Sequence, residues 1–149
     1  MAASGLAKSL GATIDITLVE SDDIGTVGVG EAVIPLIKYF HALLELKENE
    51  FLRAVNGTIK LGIEFENWGR LGDSYFHPFG ETGVEAWAAQ FHHYWLKARR
   101  QGEMQALRNF SLEASMAQAG KFTLDSQPQP QYAYHFDASL YAKFLRSLS

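Results

Sequence analysis

Cysteine is absent from all 149 residues. That excludes a disulfide framework, a thiolate metal site and a cysteine nucleophile. Long apolar runs are missing too, and none approaches the roughly 20 residues a membrane-spanning helix needs. The opening MAASGLAKSL lacks the basic-then-apolar order of a secretory leader. Basic charge is scarce: 13 Lys and Arg against 17 Asp and Glu leave a net charge of -4. Such a balance offers no field for nucleic acid or an anionic membrane surface. The one basic cluster, Lys97, Arg99 and Arg100, reads as a charged helix end. A metal site is not expected, because His92 and His93 are neighbours on a helical segment and project about 100° apart. One domain's worth of cytoplasmic chain is the expectation from bulk properties.

What is present centres on Ile14 to Pro35, IDITLVESDDIGTVGVGEAVIP. Ile14 to Val19 is short, apolar and β-branched, the pattern of a buried strand. It closes on Glu20, and an acid at a strand end can accept hydrogen bonds from both hydroxyls of a ribose. Gly25, Gly28 and Gly30 follow in a loop whose backbone can approach a bulky ligand closely. Pro35 then sets the entry to a helix. On the residues alone, a solvated charge followed by an ordinary turn is the commoner reading of the same stretch.

Around it, helix and strand patterns alternate. Met1 to Leu10 is a helix stopped by Gly11. Pro35 to Leu46 puts Leu36, Tyr39, Phe40, Leu43 and Leu44 on one helical face, and a second helix covers Glu48 to Val55. Thr58 to Trp68 alternates as one half-buried strand, with Ile59, Leu61, Ile63 and Phe65 inward. That leaves Lys60 on the polar face, where a lysine is ordinarily solvated. Gly69 to Gly83 reads as a loop carrying Tyr75, Phe76, His77, Pro78 and Phe79. Val84 to Arg100 is a helix with Val84, Trp87, Ala88, Phe91, Trp95 and Ala98 as its buried stripe. Leu107 to Ala119 is another helix, Gln127 to Gln131 a linker turn, and Tyr132 to Phe136 a short strand. Asp137 caps a last helix that buries Leu140, Tyr141, Phe144, Leu145 and Leu148.

Three of these segments carry a more specific signal. GVGEAVIP, Gly28 to Pro35, closely resembles the GVGEATIP loop of flavin-dependent tryptophan halogenases. IKLGIEF to Trp68, preceded by Arg53-Ala54-Val55-Asn56, is similar to the family's strand bearing the active-site lysine. YAYHFDASLYAKFL, Tyr132 to Leu145, resembles the segment where the family's chain returns to the FAD-binding module. The resemblance extends over almost the whole chain. It implies an α/β fold, a partial Rossmann-like FAD-binding module (1–35 and 132–149) with a mainly helical substrate-side insertion (36–131).

The resemblance also implies chemistry. Reduced FAD, supplied by a separate flavin reductase, reacts with oxygen and chloride or bromide in this family. Hypohalous acid then travels through a tunnel to a lysine beside an aromatic, indole-like substrate. Lys60 matches that lysine, which holds the oxidant by a hydrogen bond or as a haloamine. Glu20 matches the acid on the adenosine ribose, and Gly28, Val29, Gly30, Glu31, Ala32, Val33, Ile34 and Pro35 match the flavin-contacting strap. His77, Phe79, Trp87 and Tyr94 become substrate-pocket candidates. A homodimer is compatible with the family.

Departures accompany the matches. Val33 stands where the family usually has threonine, and the GxGxxG and WxWxIP motifs do not occur. These gaps leave two alternatives: a non-catalytic fragment of such an enzyme, and a related flavin monooxygenase that hydroxylates without halide.

Overall fold

A computed structural model describes residues 1–21, 23–24 and 33–148. Among these residues ten helices and strands follow one another: α1 (Ala2–Leu10), α2 (Ile37–Leu43), α3 (Glu48–Ala54), β1 (Thr58–Lys60), β2 (Gly62–Glu66), β3 (Ser74–Pro78), α4 (Phe91–Arg100), α5 (Leu112–Ala119), β4 (Ala133–His135) and α6 (Ala138–Arg146). They gather into two compact units, Met1–Lys60 with Ala133–Ser149, and Leu61–Tyr132.

In the first unit, β1 and β4 pair antiparallel, with Thr58 opposite His135, Ile59 opposite Tyr134 and Lys60 opposite Ala133. Helices α3 and α6 pack together through aromatic rings. Phe51, fully buried, meets Tyr134, Phe136, Tyr141 and Phe144 edge-on at 5.1, 5.6, 5.7 and 6.1 Å between centroids. Burying one such side chain contributes about 1.5–3 kcal/mol, and edge-on geometry suits the ring quadrupoles. Asp137 caps α6 as expected, its Oδ1 accepting from the Ser139 and Leu140 amides at 2.8 and 3.0 Å. That capping belongs to Asp137's own chemistry and needs no distant partner.

Several expectations are corrected here. Ile14 to Val19 forms no strand; it is exposed, with Val19 at 88%. Strand formation needs a neighbouring ladder, and among the described residues nothing pairs with this segment. Helix α2 buries Ile37 and His41, while Leu36, Tyr39 and Leu43 are exposed. The inward histidine is accommodated because its Nε2 lies 3.0 Å from the Tyr141 hydroxyl, so the polar ring is not left without a partner. Leu148 is exposed, and α6 buries Tyr141 and Leu145.

The strand expected over Thr58 to Trp68 is two strands. β1 ends at Lys60, and β2 pairs with β3 from Gly62 opposite Pro78 to Glu66 opposite Ser74. The stretch 69–83 is therefore not all loop. Gly62 is required by close approach: a Cβ there would meet the Phe76 ring and the His77 carbonyl. Helix α4 begins only at Phe91, leaving Val84 and Trp87 solvent-exposed at 82% and 101%. Residues 84–90 turn back on themselves instead, Ala86 bridging Ala89 with the Ala89 amide donating to the Ala86 carbonyl at 3.0 Å, and just before them the Phe91 ring packs where a Gly83 Cβ would lie. The segment 107–110 is a 3-10 turn leading into α5, which Ser111 caps through the Ala114 amide.

No helix among the described residues is long and apolar enough to cross a membrane. Among the same residues no group of three His, Asp or Glu side chains could hold a metal ion.

Candidate functional site

Lys60 is the last residue of β1, and its register opposite Ala133 is set by the pairing with β4. The strand's alternation places it on the face away from Ile59. That face is not solvated: Lys60 is only 8% exposed. Its Nζ donates to the carbonyl of Val33 at 3.3 Å. Burial holds the ammonium pKa below its ordinary value, since removing water disfavours the charged form. The solvated lysine expected from the pattern is thus corrected. An alternating strand says which residues share a face and not whether that face meets water.

Val33 is held from two directions. Its carbonyl accepts from Lys60, and its amide donates to the Tyr134 carbonyl on β4 at 3.2 Å. Ile34 and Pro35 follow and start α2 through the bonds of the Ile37 and Lys38 amides to their carbonyls. The rest of the strap, Gly28, Val29, Gly30, Glu31 and Ala32, lies outside the described residues. His135 stands opposite Thr58, diagonal to Lys60 across the ladder; its pKa is lowered first by burial and then by the Lys60 charge. Glu20 forms an ion pair with Arg146 at the end of α6, with both side chains about half exposed. A carboxylate has about four acceptor positions, so this pair leaves room for further donors.

His77, Phe79, Trp87 and Tyr94 all belong to the second unit. That unit contains a cavity of about 470 Å³ between β3, α4 and the 3-10 turn. Of the four, His77 lines it; Phe79, Trp87 and Tyr94 do not. Phe79 is half-buried and its amide donates to the Leu61 carbonyl at 3.0 Å, while Tyr94 is 42% exposed on α4. Trp95, Arg99 and Arg108 line the cavity, although the sequence pattern marks Trp95 only as a helix-stripe residue and Arg99 only as part of a charged helix end.

The sequence profile of the tryptophan halogenase family matches residues 1–149. The chain belongs to this family. Tryptophan 6-halogenase SttH of Streptomyces toxytricini is 34% identical, over 100% of this chain and 33% of that protein. Tryptophan 7-halogenase RebH of Lentzea aerocolonigenes is 35% identical, over 98% and 31%. The solved structure of Xcc4156, a flavin-dependent halogenase from Xanthomonas campestris, superposes with a TM-score of 0.91 at 49% identity, over 99% of this chain and 30% of that one. BrvH, a flavin-dependent halogenase from Brevundimonas sp. BAL3, gives 0.84 at 41% identity, over 98% and 30%. The α/β fold is therefore that of the family's Rossmann-based enzymes, and the chain spans about a third of the relatives' length.

Proposed function

We propose that this chain serves FAD-dependent halogenation of an aromatic, indole-like substrate, with Lys60 relaying hypohalous acid. The observation that carries the reading is the burial of the Lys60 amine against the Val33 carbonyl, within the loop the resemblance assigns to the flavin. Taking an ammonium out of water is costly, and a surface lysine in a strand has no reason to incur that cost. A lysine with a lowered pKa reaches the neutral, nucleophilic amine more easily and still offers N–H donors to an oxygen.

In this reading 1–35 and 132–149 belong to the FAD module and 36–131 to the substrate side. Glu20 would accept the ribose hydroxyls, and the strap from Gly28 to Pro35 would lie against the flavin ring. The residues present fit that group in part: Glu20 keeps free acceptor positions and Val33 is rigidly placed, while the phosphate fingerprint GxGxxG does not occur. Reduced FAD, delivered by a separate reductase, supplies with oxygen the oxidising power that turns halide into hypohalous acid. Lys60 holds the acid's oxygen by an N–H bond or captures the halogen as a haloamine. The aromatic ring then attacks the halogen and loses its proton. With the acid held intact the O–halogen bond breaks and water leaves. On the haloamine route water leaves as the N–halogen bond forms, and the ring's proton returns to the Lys60 amine.

A second reading is a nucleotide-binding or inert piece without catalysis, favoured by the coverage of about a third of each relative. A third, hydroxylation without halide, gives Lys60 nothing to do. Titration of oxidised FAD, followed by flavin fluorescence quenching, separates the first two. Saturable binding is then carried into an assay with reductase, halide and indole, comparing wild type with Lys60→Ala. The expected result is halogenated indole from wild type only, with FAD affinity kept in both. Loss of FAD affinity in Lys60→Ala would make Lys60 a cofactor or structural residue, and absence of FAD binding by the chain would favour the second reading.

A further inference from the structure

The cavity between β3, α4 and the 3-10 turn carries a charge pattern that nothing above uses. None of its eleven lining residues is acidic, although acids outnumber bases in the chain. Two arginines, Arg99 from α4 and Arg108 from the 3-10 turn, face it together with His77. Among the described residues neither guanidinium has an ion-pair partner. Glu64 is the acid across the ladder, opposite Phe76, and it accepts from the Ser74 hydroxyl without lining the cavity.

The site is also partly preorganised. The Trp95 ring is pinned by its Nε1, which donates to the Gln105 carbonyl at 2.9 Å. Arg99 lies over that ring, its Cζ 5.2 Å from the centroid. A guanidinium stacked on a fixed indole keeps its planar donor fork available in one orientation. The remaining walls are apolar: Tyr75, Phe76, Pro78 and Leu107. Such walls bury a flat ring, and a volume of about 470 Å³ suits a bicyclic ligand with a short side chain.

We propose that this cavity binds an aryl carboxylate that lacks an α-ammonium group, the ring on Trp95 and Phe76 and the carboxylate on Arg99 and Arg108. A carboxylate meets guanidinium bidentately, whereas an ammonium is repelled by two cations; Glu64, which lines an adjoining pocket with Phe76 and Arg108, is already engaged by the Ser74 hydroxyl. The site therefore discriminates between an indolyl acid and the corresponding amino acid. This inference stands on the second unit alone and does not depend on the Lys60 reading, so its test uses no flavin, halide or turnover.

Calorimetric titration of the chain with indole-3-propionate, tryptophan, indole and inorganic phosphate is the test. Indole-3-propionate should bind at least about tenfold more tightly than the other three, and added sodium chloride should weaken it. Arg99→Gln and Arg108→Gln should each weaken it about tenfold with the circular dichroism spectrum unchanged. Equal binding of tryptophan would overturn the proposal, as would phosphate binding as well as indole-3-propionate, which marks a plain cationic patch. Absence of indole-3-propionate binding to folded wild type would overturn it outright. Should either variant fail to fold, the four-ligand ranking and the salt dependence in wild type decide alone.

Discussion

The carbonyl of Val33 accepts from Lys60 at 3.3 Å while its amide donates to Tyr134 at 3.2 Å. One loop residue is thereby bonded to both strands of the β1–β4 ladder, and the lysine is buried in the process. Position and chemistry of the amine are thus coupled to the backbone just before α2.

Lys60→Met should separate the lysine's chemistry from its packing. The lost charge-assisted bond, about 1.5–3 kcal/mol, is offset by no longer burying an ammonium, so urea unfolding should shift by no more than about 1 kcal/mol. Lys60→Ala also leaves a cavity and should cost about 2 kcal/mol or more. Equal losses for Met and Ala would show that the ammonium itself holds the fold together.

His41 predicts a pH dependence of stability. Burial lowers its pKa from 6.5 to about 4. Above about 6.5 it is neutral in both states and contributes nothing pH-dependent. As pH falls from there to about 4, the unfolded chain takes up the proton and the folded one does not, so stability is lost by up to about 3 kcal/mol. His135 is lowered too and adds to the same trend. Chemical denaturation of His41→Gln across this range should show a flatter slope than wild type; an unchanged slope would assign the effect to other groups.

Glu113 and Gly80 should be coupled. The buried carboxylate accepts from the Gln131 amide at 2.8 Å and from the Ser111 hydroxyl at 3.3 Å, and it packs where a Gly80 Cβ would sit. Glu113→Ala strands the Gln131 amide and should cost about 1–3 kcal/mol. Gly80→Ala drives a methyl into the carboxylate. In thermal melts the double variant should lose less than the sum of the two single losses, because removing the carboxylate makes room for the methyl. Strict additivity would refute the contact.

Glu20 and Arg146 give a test of the proposed cofactor role. Their exposed ion pair is worth about 0–1 kcal/mol, so breaking it leaves the fold intact. Glu20→Gln should weaken FAD binding about tenfold by replacing a charged acceptor with a neutral one. Arg146→Ala should leave it equal or tighter. Equal weakening in both variants would mean that the ion pair, and not the carboxylate, supports the site.

Local chemistry was legible without coordinates. Gly11 ends α1, Asp137 caps α6, and Tyr141 and Leu145 fall on the buried stripe that the spacing announces. Family membership was legible as well, because the strap, the lysine strand and the last helix are contiguous wordings that survive in one dimension. Each of these depends on residues a few positions apart.

What tertiary structure alone decided is where distant segments meet. An alternating run from Thr58 to Trp68 cannot say that it will change partners at Leu61, since the choice belongs to β3 and β4. Helix periodicity from Val84 cannot show that Ala86 bridges back to Ala89, so that α4 starts only at Phe91. Ile14 to Val19 has strand composition, yet a strand exists only where another backbone offers its donors and acceptors. The burial of Lys60 is the same case. Its residue type argues for water, and only the approach of Val33, 27 positions away, makes it an inward amine.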